Sequence, residues 1–297
     1  MIWVVSPMLH DTEAYLRVCT EVRAAVAAAG DTRTLRFLVV DDSAGTDPDV
    51  GRLAVHDDIE VLTPPFNLGH QRAIVHGLRH LAPRLADDDV VITMDSDGED
   101  QPADVPRLLA SLQESGAALV LAQRTKRSEP LLFRTLYVMF RLFFRVIAGI
   151  TVLSGNFAGQ RGDSLKATVH HPSFDLCYSS TLLALRRATV TVPCARGHRF
   201  SGRSRMNTSS LIAHGIRMLL PFTERIAARM LVAAAGSFVV AATTVVLLLT
   251  RTMHGRLAAW ATALACGGFA TTFVGFLVLF AGFAQSASFA GRSRSGA

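Results

Sequence analysis

Lysine is nearly missing from this chain of 297 residues. Lys126 and Lys166 are its only lysines, so the formal net charge of +6 rests on arginine. No nucleic-acid recognition motif accompanies the basic excess. It suits instead the anionic headgroups and phosphorylated lipids of a membrane surface. Cysteine is sparse too. Cys19, Cys177, Cys194 and Cys266 form no C-x-x-C pair, which excludes the common dithiol spacing, and in a cytosolic setting they are expected as reduced packing residues. The opening MIWVVSPM lacks the basic start and cleavage site of a secretory signal, so the large hydrophilic part is expected to stay cytoplasmic. Repeats and low-complexity tracts are absent, apart from the closing GRSRSGA in a tail, 285–297, expected to be disordered.

Charge is absent from two long stretches. MLVAAAGSFVVAATTVVLLLT (230–250) and LAAWATALACGGFATTFVGFLVLFAGFA (257–284) carry no charged residue, and each is long enough for the roughly 20 residues a bilayer core requires. Two transmembrane helices are expected, joined by RTMHGR (251–256) into a hairpin that returns the chain to the side it left. Arg225 and Arg229 precede the first span and Arg292 and Arg294 follow the second, against Arg251 and Arg256 in the connection. That bias predicts an integral protein of the cell (inner) membrane with its hydrophilic part in the cytoplasm.

What precedes the spans alternates apolar runs with helical stretches: IWVVS (2–6), TEAYLRVCTEVRAAVAAAG (12–30), LRFLVVDDS (35–43), IEVLTP (59–64), LGHQRAIVHGLRHL (68–81), DVVITMD (89–95), PADVPRLLASLQES (102–115) and ALVLAQR (118–124). Strand followed by helix, repeated, predicts an α/β domain with a parallel sheet covered on both faces. Ligands of such sheets bind beyond the carboxyl ends of the strands, where SPMLHD (6–11), DDS (41–43) and DSDGED (95–100) lie. SEPLLFRTLYVMFRLFFRVIAG (128–149) is an apolar helix with Arg134, Arg141 and Arg145 on one face. A second apolar segment, 209–230, is broken at Pro221 and leads into the first span through a juxtamembrane stretch, 206–229. Each segment is either a core helix with a snorkelling basic edge or an interfacial amphipathic helix.

VVITMDSDGEDQPADVP (90–106) crowds acidic residues behind an apolar run. Asp95 and Asp97 are two residues apart, so on a strand both carboxylates would point to one side. Carboxylate oxygens in small number suit Mg²⁺ or Mn²⁺, which complete their shells with substrate phosphates and water. The alternative is an ordinary turn, with Pro102 starting the next helix. Asp41 and Asp42 have two readings as well, hydrogen-bond acceptors for a ligand or a strand-end turn. Gly69, Ala73 and Gly77 form a small-residue ridge on one helix face, which packing explains better than ligand contact. His10, alone near the first strand end, is expected to be structural.

VVDDSAGTD (39–47), NLGHQRAIVHGL (67–78) and MDSDGEDQP (94–102) resemble, in order and spacing, motifs of family 2 glycosyltransferases, in particular the dolichol-phosphate mannose synthase and bactoprenol glucosyltransferase branch. The similarity covers most of residues 1–205. It implies a GT-A fold, a Rossmann-like and mostly parallel catalytic domain over 1–205, followed by interfacial helices and the membrane hairpin. It also implies a UDP- or GDP-sugar donor held by Pro7, Asp11, Asp41, Asp42, Asn67, Gly69 and Asp95, and a Mg²⁺ or Mn²⁺ ion held by Asp95, Asp97 and Glu99. Glu99 stands where the family has Gln, and Asp11 and His10 stand where it has Glu and Asn.

SGNFAGQR (154–161) puts Asn156 where the family has Asp, a loss that would cripple deprotonation of a hydroxyl. A phosphate monoester is already anionic at neutral pH and needs positioning more than a base. Arg124 and Arg134, with Arg199 and Arg203 from RGHRFSGRSRMN (196–207), are the expected phosphate contacts, since guanidinium forks bind phosphate bidentately. Solvated arginine is the alternative for each. The expected catalytic set is Asp95, Asp97, Arg124 and Arg134. The expected activity is inverting, metal-assisted transfer of a sugar to a polyprenyl phosphate by an enzyme that could form homo-oligomers. Transfer to a hydroxyl of a lipid or glycan, and a catalytically silent membrane scaffold, are the alternatives.

Overall fold

Ile2–Met8 (β1) is buried along its whole length, as a central strand must be when helices cover both faces of a sheet. In the computed structural model, which describes residues 1–124, 131–151, 154–201, 208–250 and 256–292, β1 lies between Leu35–Asp41 (β2) and Val90–Thr93 (β4). With Ile59–Leu62 (β3), Leu119–Arg124 (β5), Ser154–Arg161 (β6) and Thr189–Cys194 (β7), they form a seven-stranded sheet in the order β3-β2-β1-β4-β6-β5-β7. Every pairing is parallel except those of β6, which runs antiparallel to both β4 and β5. The mostly parallel sheet expected from the sequence is present. Its reversed strand is made by SGNFAGQR, and the Thr93–Ala158 register brings Asn156 back beside the residues that follow β4.

The helices are Thr12–Ala28 (α1), His70–Leu81 (α2), Val105–Ser115 (α3), Leu131–Ala148 (α4), Gly162–Thr168 (α5), Tyr178–Ala184 (α6), Thr208–Leu219 (α7), Thr223–Leu249 (α8) and Arg256–Arg292 (α9). Alternation along the strands divides the core in two. Val4, Phe37, Val39, Ile92 and Val120 pack with Tyr15, Val18 and Val22 of α1 and Leu108 and Leu112 of α3. Val5, Leu38, Val91 and Leu121 face the other way, onto Ile74 and Leu78 of α2, Leu165 of α5 and Leu182 of α6. Each such side chain contributes about 1.5–3 kcal/mol when fully buried. Of the α2 ridge, Gly77 works by packing, because a Cβ there would lie 2.8 Å from Val40 Cγ2 and 3.1 Å from Val5 Cγ1, whereas a Cβ at Gly69 would meet nothing within 4 Å. Cys19, Cys177 and Cys194 are buried and Cys266 is exposed, none of them in a disulfide.

The chain divides into two compact units, Met1–Leu142 with Ile150–Pro221, and Phe143–Gly149 with Phe222–Ala297. The sheet belongs to the first. In the second, α8 and α9 pack together, with the Phe238 and Phe269 rings 5.8 Å apart and Gly268 against Ser237. Two apolar stretches, Ala213–Leu249 and Ala259–Leu277, are long enough to cross a membrane. The break expected at Pro221 is a 3₁₀ turn, Leu220–Phe222, between α7 and α8. Helix α9 runs to Arg292, past the point where the sequence predicts a tail. Arg203, Arg251 and Arg294 lie outside the described residues, as does most of the connection at 251–256.

Candidate active site

Because β4 ends at Thr93, Asp95 and Asp97 lie in the turn beyond the strand. Strand alternation therefore does not orient their carboxylates. The turn does. Gly98 has φ +85°, which only glycine adopts without penalty, and a Cβ there would come within 2.7 Å of the Phe200 ring. Asp97 Oδ1 accepts the Glu99 N–H at 2.9 Å, closing an Asx turn. Residues 196–200 are strapped to this turn: Phe200 N–H donates to the Asp97 carbonyl at 2.9 Å and Gly197 N–H to the Glu99 carbonyl at 2.8 Å.

Arginine neutralises much of the acidic turn. Arg199 Nη2 lies 2.6 Å from Asp97 Oδ2 and its Nε 3.3 Å from Glu99 Oε1, while Arg196 Nη2 lies 2.6 Å from Glu99 Oε2. Both Glu99 oxygens are thus committed to guanidinium groups. Arg124, the last residue of β5, reaches Asp100 Oδ1 at 3.1 Å, and Asp100 Oδ2 accepts the Asp95 N–H at 3.0 Å. Burial, reinforced by the Asp95 charge, pushes the Asp100 pKa up to about 7. Burial also acts against ionised Asp95, but His70, Arg124 and Asn156 outweigh it and hold Asp95 at about 2. Of the two carboxylates, Asp95 is therefore the more readily ionised. Asp97 is raised by burial and then by Asp95, which places the two carboxylates within each other's field.

His70 and Gln71, at the start of α2, complete the site. His70 Nε2 is 3.2 Å from Asp95 Oδ1 and 2.6 Å from Asn156 Nδ2. Gln71 Nε2 donates to Asn156 Oδ1 at 2.6 Å, and Asn156 Nδ2 is 3.5 Å from Asp95 Oδ1. His214 of α7 is within electrostatic reach of His70 and Asp95. Sequence reasoning missed His70, Gln71, Asp100 and His214. The available signal was position: residues directly after Gly69, which has φ +79° and precedes α2, must face the carboxyl edge of the sheet.

The residues expected to hold the nucleotide are gathered at the neighbouring strand ends, and several are engaged in turns. Asp41 accepts from the Ser43 and Gly45 amides at 3.1 and 3.3 Å. Asp42 accepts from the Leu68 and Gly69 amides at 2.6 and 3.0 Å, and Asn67 Nδ2 donates to the Asp42 carbonyl at 2.8 Å. Asp42 therefore pins the loop that launches α2. Pro7 is buried near the end of β1, Asp11 precedes α1, and His10 Nε2 is 3.5 Å from Thr46 Oγ1. Arg134 lies in α4, where its side chain is not among those described.

The sequence model of glycosyl transferase family 2 matches residues 3–175, more than half of the chain. The protein belongs to that family. As a family 2 member it is a glycosyltransferase, and its sheet is of the GT-A type. Compared with curated proteins, its sequence matches none. Among solved structures, glucosyl-3-phosphoglycerate synthase from Mycobacterium tuberculosis, bound to Mn²⁺, UDP and glucosyl-3-phosphoglycerate, is 18% identical with a TM-score of 0.50, over 76% of this chain and 80% of that one. The same enzyme with Mn²⁺, UDP and phosphoglyceric acid is 18% identical at a TM-score of 0.50, over 76% and 78%. A mycobacterial protein is 20% identical at 0.51, over 76% and 74%. These likenesses establish the fold of the glycosyltransferase.

Among the described residues, no three side chains of His, Cys, Asp or Glu are grouped to hold a metal ion. The carboxylates of this turn that could serve a cation are those of Asp95 and Asp97, since both Glu99 oxygens meet guanidinium groups. That chemistry fits Mg²⁺ or Mn²⁺ drawing its remaining ligands from a diphosphate and water, and it does not fit a cation caged wholly by protein.

Proposed function

We propose that this glycosyltransferase moves a sugar from a UDP- or GDP-sugar to a polyprenyl phosphate, with inversion, at the cytoplasmic face of the inner membrane, where α8 and α9 anchor it. The observation that carries the reading is the acidic turn at the carboxyl edge of the sheet, framed by Arg124 and Arg199, with an amide instead of a carboxylate at position 156. Two apolar helices of spanning length support the anchor and, with it, a lipid acceptor. The mycobacterial enzymes of the same fold bind UDP and Mn²⁺, which supports UDP as the nucleotide and a divalent ion as cofactor.

In this reading Asp95 and Asp97 hold the cation, and Pro7, Asp11, Asp41, Asp42, Asn67 and Gly69 shape the nucleotide side. Asp42 acts there by fixing the loop and not by direct contact. When bound, Mg²⁺ or Mn²⁺ supplies positive charge to the departing diphosphate. A phosphate oxygen of the acceptor attacks the anomeric carbon, the bond from that carbon to the donor diphosphate breaks, and the nucleoside diphosphate leaves with the electron pair. Arg124, Arg134, Arg199 and Arg203 hold the anionic partners in line, which provides proximity and charge stabilisation together. Glu99 orients Arg196 and Arg199 at the rim of the site.

Labelled sugar from a nucleotide donor, incubated with the full chain, Mn²⁺ and a short polyprenyl phosphate, is expected in the organic-extractable lipid. Asp97→Ala is expected to abolish that transfer. Full activity in Asp97→Ala would contradict the assignment. Label passing to polyprenyl alcohol and not to the phosphate would favour a hydroxyl acceptor.

A further inference from the structure

The orientation of two side-chain amides at the site follows from a donor that cannot rotate. The Ser179 backbone N–H lies 3.2 Å from one end of the Gln71 amide, and the Cys177 thiol, also able to donate, lies 3.4 Å from the same atom. That atom must be the oxygen, Oε1. The other end, Nε2, therefore donates, and the Asn156 atom it meets at 2.6 Å must accept. Asn156 is left with its NH₂ group toward Asp95 Oδ1 at 3.5 Å and His70 Nε2 at 2.6 Å. Reversing either amide would set donor against donor. Cys177, Ser179 and Gln71 are all buried, so water does not relieve such a mismatch.

We infer that Gln71 is a positioning residue that locks Asn156 as a hydrogen-bond donor beside Asp95, and that this lock selects acceptors arriving with their own negative charge. An amide nitrogen takes no proton at neutral pH, and His70 Nε2 is already directed at Asp95 Oδ1 at 3.2 Å. A neutral hydroxyl entering here meets no free base at position 156 or at His70 Nε2. An oxyanion needs none and is offered an N–H. The amide orientation stands on the hydrogen bonds alone, whereas the acceptor class rests on the proposed function.

The test uses the full chain in detergent with ¹⁵N-labelled asparagine, of which there are only Asn67, Asn156 and Asn207. Gln71→Glu keeps the acceptor for Ser179 and Cys177 but has nothing to donate, so Asn156 is expected to turn its NH₂ toward residue 71. Its side-chain amide signals, assigned with Asn156→Ala, should shift while those of Asn67 stay, which also reports that the fold is intact. With polyprenyl phosphate or a soluble phosphate monoester as acceptor, kcat should fall roughly tenfold to hundredfold, the range of a lost hydrogen bond to a charged group, at unchanged KM for the donor. Whichever phosphate suffers the loss identifies the source of the anion. Should Gln71→Glu not fold, Gln71→Met removes the lock without a charge and should broaden the same signals. Unmoved Asn156 signals, or a wild-type kcat, in the variant that folds would overturn the inference. Failure of the wild type to use any phosphate acceptor would sink the acceptor reading while the NMR arm still decides the lock.

Discussion

Arg199 sits where an incoming cation must compete. Its Nη2 is 2.6 Å from Asp97 Oδ2, whose side chain is only 7% exposed, while Arg199 itself is 27% exposed. A hydrogen bond to a charged group is worth about 1.5–3 kcal/mol, and partial solvation of the arginine argues for the lower part of that range. A divalent ion taking Asp97 has to displace this contact. Arg199→Ala should therefore tighten Mn²⁺ binding by about 1–2 kcal/mol, roughly a five- to thirtyfold fall in Kd. Titration calorimetry with MnCl₂ alone measures it, at pH 8 so that Asp97, whose pKa burial and Asp95 raise, stays ionised. Arg196→Ala is the control, since Arg196 pairs with Glu99 and not with Asp97 among the described contacts. An equal gain in Arg196→Ala would make Glu99 a ligand as well. An unchanged or weaker Mn²⁺ affinity in Arg199→Ala would refute the reasoning, because Asp97 would then not be the oxygen that the cation takes.

Further expectations concern the scaffold. Gly77→Ala places a methyl 2.8 Å from Val40 Cγ2 and should cost about 1–3 kcal/mol by overpacking, read as a lowered denaturation midpoint, with a wild-type midpoint counting against the packing role. The Arg33 and Arg23 guanidinium groups hold Asp31 and Asp58 below the ordinary carboxylate range. A carboxylate lowered on folding stabilises above its unfolded pKa, and that contribution disappears as pH falls through the folded value. Asp58→Asn should thus shrink the stability difference between pH 7 and pH 2 by up to about 1 kcal/mol, since the pair is partly exposed. An undiminished difference would remove Arg23–Asp58 from the acid response.

The strands that carry long apolar runs, such as Leu35–Asp41, are legible because burial on both faces demands such runs, and the acidic turn is legible because like charges do not crowd without cause. Strand β6 is not legible. SGNFAGQR has glycines and amides in place of an apolar run, and only its pairing with β4 and β5 makes it a strand. The charge partners of the turn are hidden for a related reason. Arg196 meets Glu99 and Arg199 meets Asp97 only because the chain returns to the same edge of the sheet about a hundred residues later, and local pattern carries no record of such returns. His70 and Gln71 read locally as ordinary residues of an amphipathic helix. Their role comes from β6 delivering Asn156 between them and Asp95.

Calorimetry of UDP binding to the full chain, with and without Mn²⁺, in the wild type and in Asp95→Ala, reaches the core of this account. Binding that requires Mn²⁺ and vanishes in Asp95→Ala is the predicted result. UDP bound equally well without the cation, or undiminished by loss of that carboxylate, would contradict it.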